Sequence, residues 1–360
     1  MRKVIMTIPA LGLAIFAGLQ ATPALADPVA KFYKGKQIKM IIRTKAGGGY
    51  DLNARMLMRH MTRYIPGKPR AININMTGGG GIKAANYVAQ VAPRDGSVLT
   101  IVSGAIPMFQ GLQITDKLKA DMKAFSWIGV ISTSNRVLAV WHTSSAKTFD
   151  DLTKNTITIG ATGAGSPSVI LPAVLNNVLG AKLKIITGYQ SGSEIDAAME
   201  RGELVGRGSN PWSSWVASAP RLVRDKLVRP MVQVGFKSDP KLPGVVPLLK
   251  DLGKTPEQTE ILTYVTKSFM TGFPFAVAQG VPADRVKALR AAFNATMKDK
   301  AFLKDAKRSR IEVDPTDGVA LQKLITEIVD IKPALREKVR AAITPPGSYY
   351  GKLKRAKKKK

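Results

Sequence analysis

The stretch with the most chemical character follows an apolar run, Ile38-Lys39-Met40-Ile41-Ile42. It is Arg43-Thr44-Lys45-Ala46-Gly47-Gly48-Gly49-Tyr50-Asp51, and a helical pattern begins after it. Three consecutive glycines admit positive φ and close approach to the main chain, and a helix start aims unpaired N–H groups at whatever lies there. Such a turn suits an anion. Asp51 in the first helical turn is favoured by the helix dipole and can accept loop N–H bonds. Nucleotide loops are disfavoured, since no Lys-Ser or Lys-Thr stands in P-loop register and Gly47-Gly48-Gly49-Tyr50-Asp51-Leu52 is not G-x-G-x-x-G.

Catalytic chemistry finds little to work with. The two histidines, His60 and His142, have no metal-ligand spacing and read as surface or structural residues. Gly163-Ala164-Gly165-Ser166-Pro167 is not a nucleophile elbow, so Ser166 reads as a helix cap. Asp150-Asp151 likewise opens a helix, and Trp212 and Trp215 read as packing residues. Arg43, Lys45 and Arg207 stand near the loops and could pair with an acidic ligand, although long basic side chains are usually solvated. No cofactor and no metal is expected.

The elements that must position these residues repeat one theme. From Asp51, the residues Ala54, Leu57, Met58, Met61 and Ile65 share a helical stripe, while Arg55, Arg59 and Arg63 share another. A strand at 71–76 leads to Thr77-Gly78-Gly79-Gly80-Gly81 and a helix. A buried strand at 97–102 ends at Ser103-Gly104. Two strands at 128–131 and 137–141 flank Ser132-Thr133-Ser134-Asn135, where a domain crossover is expected. Thr156-Ile157-Thr158-Ile159 runs into Gly160 to Pro167 and a helix over about 167–179. A short strand at 183–186 precedes Gly188-Tyr189-Gln190-Ser191-Gly192, where Ser191 and Glu194 fit a capping box. Segments at 240–247 and 273–282 bracket a return to the first domain. Helices at 283–298 and 317–343 follow, the last interrupted by Pro333. The pattern predicts an α/β chain of two domains with mixed sheets and glycine loops on the strand C-terminal edges, where such sheets bind ligands. The expected division is 27–135 with 268–345 as domain 1, and 136–267 as domain 2.

Composition fits that plan. The chain has 360 residues, 45 % hydrophobic and 22 % charged, enough for two folded domains. Arg2-Lys3, an apolar stretch and Ala24-Leu25-Ala26 form an export-signal pattern over 1–26, predicting a periplasmic chain from Asp27. No cysteine is present, hence no disulfide and no lipid-bearing thiol. The formal charge is +30, from 55 Lys and Arg against 25 Asp and Glu. It falls by two to +28 without Arg2 and Lys3. It falls by seven more, to +21, without the basic residues of the tail 346–360 (Lys352, Lys354, Arg355 and Lys357 to Lys360). Such a field gathers small anions, and it also favours anionic surfaces and non-specific nucleic acid. For an exported chain, acidic solutes and anionic lipid are the accessible partners, and specific nucleic-acid binding is not expected. The tail reads as a solvated, disordered extension.

The motifs in order resemble one family, the periplasmic solute receptors of tripartite tricarboxylate transporters, or Bug-type receptors. The resemblance spans about Lys34 to Ile343. It rests on Ile41-Ile42 with Gly47 to Asp51, Asn75 to Tyr87, Ala92-Pro93-Arg94-Asp95-Gly96, Gly160 to Ser166, Gly188 to Gly192, Arg201-Gly202-Glu203, and Gly280 to Val286. It implies a type II-like, two-domain periplasmic binding fold that closes on a small carboxylate and delivers it to membrane permease subunits, as a monomer without enzymatic activity. It also implies that the carboxylate is held between two loops, here Ala46, Gly47, Gly48, Gly49, Tyr50 and Asp51 on one side and Thr162, Gly163, Ala164, Gly165 and Ser166 on the other. Around these, Gly79, Ser103, Gly104, Tyr189, Ser191 and Asn210 complete the candidate ligand-binding set. Two departures stand out. Arg43-Thr44-Lys45 replaces an aromatic and a proline, which would suit a second acidic group, and Thr77 replaces a proline. The alternative left open is a basic envelope protein that binds an anionic surface or a sensor partner.

Overall fold

The computed structural model describes residues 27–163 and 165–345. The expected export signal over 1–26, the candidate residue Ala164 and the basic tail 346–360 lie outside the described residues. Among those described, no helix is long and apolar enough to cross a membrane.

Eleven strands form two mixed sheets among the described residues: β1 Gln37–Ile42, β2 Arg70–Asn75, β3 Val98–Ile101, β4 Ser126–Val130, β5 Arg136–Trp141, β6 Ile157–Gly160, β7 Leu183–Ile186, β8 Gly206–Pro211, β9 Val228–Val234, β10 Phe275–Val277 and β11 Thr316–Asp317. The first sheet has the order β11-β4-β10-β3-β1-β2 and the second β7-β6-β8-β5-β9. Strand β1 pairs in parallel with both β2 and β3, with Ile41 opposite Ile74 and Thr100. Its Ile38, Met40, Ile41 and Ile42 are wholly buried, as a strand covered on both faces requires. Strand β10 returns antiparallel between β3 and β4, and β5 lies antiparallel between β8 and β9. The link from β4 to β5, over 131–135, takes the chain from the first sheet to the second.

Helices cover both sheets. The expected helix over 167–179 spans Pro167–Leu179, with proline at its start and Gly180 left-handed at φ 72° at its end. A helix that the sequence reading did not place, Pro256–Phe269, is capped by the Thr255 side chain, which accepts from the Gln258 N–H. The expected break at Pro333 separates helices Gly318–Val329 and Pro333–Ile343. The last of these packs on helix Pro167–Leu179, where Asn177 Nδ2 donates to the carbonyls of Ala341, Ala342 and Thr344. One apolar cluster therefore runs from Val88 and Ile106 near the first sheet, through Leu262, Ile325 and Val339, to Leu171 and Val174 beside the second. The C-terminal helices thus tie the two sheets together behind the cleft.

Candidate functional site

On the first sheet, β1 ends at Ile42 and delivers Arg43 and Thr44 to the strand edge. Gly47 has φ 89°, and helix Gly49–Met61 starts from Gly48. Asp51 is buried and faces its own loop. It accepts from the Gly47 N–H at 3.1 Å, from Arg55 Nε at 2.9 Å and from Asn75 Nδ2 at 2.9 Å, while Asn75 Nδ2 also donates to the Thr44 carbonyl at 2.7 Å. Burial pushes the Asp51 carboxyl up, but donors from Arg55, Asn75 and Gly47 outweigh it and hold the group below its ordinary range.

On the second sheet, β6 leads to Thr162, and Ser166 occupies the N-cap of helix Pro167–Leu179. The Ser166 hydroxyl makes no capping bond, which corrects the reading of it as a side-chain cap; it pairs with Ser168 Oγ at 2.8 Å, which in turn accepts from the Thr162 N–H. Strand β8 contributes Arg207, Ser209 and Asn210. Arg207 Nη1 donates to both Asp196 oxygens at 2.9 Å, and its Nη2 donates to Asn210 Oδ1 at 2.8 Å. Trp215 Nε1 donates to the same Asp196, and its ring lies 5.2 Å from the guanidinium, so this tryptophan packs and also braces the ion pair.

Between the sheets lies a cleft with about 450 Å³ of non-atom space, the open solvent at its mouth included. Its walls include Arg43, Thr44, Gly48, Gly49 and Tyr50 from one side, Thr162, Ser166, Gly192, Arg207 and Asn210 from the other, and Arg136 and Phe273 at its base. Among the described residues, six buried polar atoms of these walls have no partner at full hydrogen-bond geometry: Arg43 Nε, Thr44 Oγ1, Tyr50 OH, Arg207 Nε, Ser209 Oγ and Asn210 Nδ2. Folded chains pair such groups unless something else is meant to pair them. The Tyr50 and Phe273 rings meet at 4.4 Å, Arg43 lies over Tyr50 at 4.5 Å, and Arg136 lies over Phe273 at 5.4 Å. Burial pushes the Tyr50 hydroxyl up, yet the Arg43 and Arg136 guanidiniums prevail and hold it below the usual phenol range. Burial likewise lowers Arg43 and Arg136, Tyr50 partly opposes this, and the guanidiniums of Arg43 and Arg207 depress Arg136 further. The cleft is a concentration of buried positive charge.

Gly48, Gly49, Tyr50, Thr162, Ser166 and Asn210 of the predicted set therefore meet in one cleft. Ala46 and Gly47 are exposed at its rim and Asp51 stands behind the loop. Gly79 belongs to a turn whose neighbour Gly80 touches the facing loop: a Cβ on Gly80 would lie 2.5 Å from the Gly165 nitrogen, and one on Gly163 would lie 2.5 Å from the Gly80 nitrogen. Ser103 Oγ donates to the Gly165 carbonyl at 2.9 Å, and the Gly104 carbonyl accepts from Thr271. Tyr189 packs against the apolar cluster of the second sheet that includes Leu204 and Trp212. Ser191 caps helix Gly192–Glu200, accepting from the Glu194 N–H. The glycines here let protein approach protein. A Cβ on Gly81 would lie 2.6 Å from Arg43 Nε, and one on Gly192 would lie 2.0 Å from Arg207 Nη2. Lys45 points outward and bonds Glu194 across the rim at 2.9 Å.

Sequence reading missed Arg136, Phe273, Thr44, Ser168 and Ser209. Arg136 left one signal: an arginine opening the apolar strand Val137-Leu138-Ala139-Val140 sits where burial is expected. Among the described residues no three metal-ligating side chains converge.

No protein-family model matches the chain. It is 28 % identical over 160 residues to the UPF0065 protein in the TAR-I ttuE-ttuC' intergenic region of Agrobacterium vitis, covering 43 % of this chain and 45 % of that one. It is 31 % identical over 122 residues to protein BugT of Bordetella pertussis, covering 32 % and 36 %. These matches span less than half the length of either relative. Among solved structures it is similar to the periplasmic binding protein BugD, with TM-score 0.68, 18 % identity and coverage of 87 % of this chain and 100 % of that one. MatC from Rhodopseudomonas palustris with bound malate gives TM-score 0.66, 18 % identity and coverage of 85 % and 99 %. An R. palustris protein with adipate gives TM-score 0.66, 18 % identity and coverage of 86 % and 98 %. These structures show the α/β fold of periplasmic binding proteins over most of the chain.

Proposed function

We propose that this chain, a relative of the Bug-type proteins in sequence and in fold, is a non-enzymatic solute receptor that captures a small carboxylate between its two sheets. The observation that carries the reading is the convergence of unpartnered buried donors with the guanidiniums of Arg43 and Arg136 in one cleft. A carboxylate offers about four lone-pair sites and a negative charge, the complement of that lining. The acids held by two structures of the same fold, malate and adipate, support the class of ligand. The expected setting is the periplasm and the expected recipient a membrane permease, with the chain acting as a monomer and needing no cofactor.

The test is thermal shift and calorimetry of protein stripped of co-purified ligand, against mono-, di- and tricarboxylates and aromatic acids. A saturable response to at least one acid is expected. Ser166→Ala should weaken that response by about fivefold, the value of a single hydroxyl hydrogen bond of about 1 kcal/mol. Silence with every acid would remove the reading.

A further inference from the structure

Resting on the receptor reading, we infer that Arg43 and Arg136 form a two-guanidinium clamp that makes the site selective for a ligand carrying two negative charges. Three arginines line the cleft, and all are buried, with 5 %, 4 % and 8 % of Arg43, Arg136 and Arg207 exposed. Among the described residues only Arg207 of the three is paired with an acid, the Asp196 carboxylate that accepts from its Nη1 at both oxygens. Arg136 Nη2 donates to a main-chain carbonyl, Gly272 O, at 3.1 Å, which anchors the side chain but supplies no charge. Among the described residues Arg43 has no ion pair, and its Nε has no partner at all. The acids of the two loops are engaged elsewhere, Asp51 with Arg55 and Glu194 with Lys45.

Two buried positive charges therefore stand without an acidic partner among the described residues, Arg43 over the Tyr50 ring and Arg136 over the Phe273 ring. Burying a charge without a partner is costly, so a monoanion would leave one guanidinium still unpaired and bind less well. A dianion compensates both. The two charges can sit on one compact head group or on two carboxylates, because the shared chemistry is only the charge. The rings, with Pro167 and Ile195 opposite, supply the apolar wall for whatever joins or follows the charged groups.

The clamp also predicts that the ligand-free protein is held back in stability by its own site. Removing either charge relieves the repulsion while destroying recognition, an opposition that a merely structural arginine would not show.

The experiment uses length-matched probes: succinate and adipate, their half-amides succinamate and adipamate, and inorganic sulfate as the compact dianion. Affinities are measured at one pH and ionic strength on wild type, Arg43→Gln and Arg136→Gln, with the melting temperature of each free protein. A diacid at least about tenfold tighter than its own half-amide is expected, as is loss of that gap in both variants with free-protein melting unchanged or raised. Sulfate competing with the diacid assigns both charges to one head group; a diacid that binds while sulfate does not assigns them to two carboxylates. Equal affinity for a diacid and its half-amide, or a gap that survives in the variants, overturns the clamp while leaving the receptor reading intact. Absence of binding by every acid and by sulfate overturns both.

Discussion

Asp51 and Tyr50 are neighbours in sequence and opposites in role. Asp51 turns away from the cleft and holds Gly47, Arg55 and Asn75, so it shapes the loop rather than meeting a ligand. Asp51→Ala leaves the Gly47 N–H and Arg55 Nε without their acceptor and Asn75 Nδ2 with the Thr44 carbonyl alone. A loss of about 1–3 kcal/mol of stability in chemical denaturation is expected, with weaker ligand binding beside it. Tyr50 does the reverse: its buried hydroxyl lies near Arg43, Arg136 and Ser103 without a hydrogen bond of full geometry, so Tyr50→Phe removes no well-formed bond from the free protein. Unchanged or raised melting with weaker ligand binding is expected; lower melting together with full affinity would assign the hydroxyl a structural role. The role of Asp51 was legible from its place in the first helical turn. Arg136 was not, because its importance comes from β5 carrying it beneath a loop nearly a hundred residues away.

Among the elements, the helix of the glycine loop is fixed at its far end by a buried acid. His60 Nε2 lies 2.9 Å from Asp305 of helix Lys300–Arg308, and Arg59 Nη1 lies 2.6 Å from the same carboxylate. The hydrogen bond from His60 pulls the Asp305 carboxyl down, burial opposes it, and bonds from Arg59 and Arg308 bring it to about 2. A depressed carboxyl lends stability that is complete above about pH 4, where an unfolded aspartate ionises, and is lost as pH falls toward 2. Asp305→Asn should therefore melt below wild type at pH 6, and the gap should close as the pH is lowered through that window. A gap independent of pH would contradict the pairing. Periodicity revealed the Gly49–Met61 stripe, yet it left helix Pro256–Phe269 unplaced. Its start signal, Thr255-Pro256 with Gln258 three residues after the cap, was present but lay between the segments 240–247 and 273–282, which read as bracketing the return to the first domain.

Across the whole molecule, the two sheets meet at both rims of the cleft. Gly80 and Gly163 touch main chain to main chain, and Lys45 bridges to Glu194 by side chain while its N–H reaches the Gln190 carbonyl at 3.4 Å. This is a closed arrangement over the site. Gly163 does not need positive φ, so Gly163→Ala adds a methyl only against the facing loop. The methyl would meet the Gly80 nitrogen at 2.5 Å, so affinity should fall by about tenfold or more, about 1.4 kcal/mol, and the free protein should melt below wild type. Unchanged affinity would show that the two loops need not meet. The two mixed sheets were legible because strand periods and glycine turns are local signals. Which glycines serve a ligand and which admit a facing backbone or an arginine was not, because that depends on how the sheets face each other.

Calorimetric titration of the ligand-stripped protein with small di- and tricarboxylates, beside an Arg43→Gln/Arg136→Gln double variant, tests the account most directly. Saturable one-to-one binding of at least one acid by the wild type, abolished in a double variant that still folds, is the predicted result. No binding by the wild type, or binding that the double variant retains in full, would contradict it.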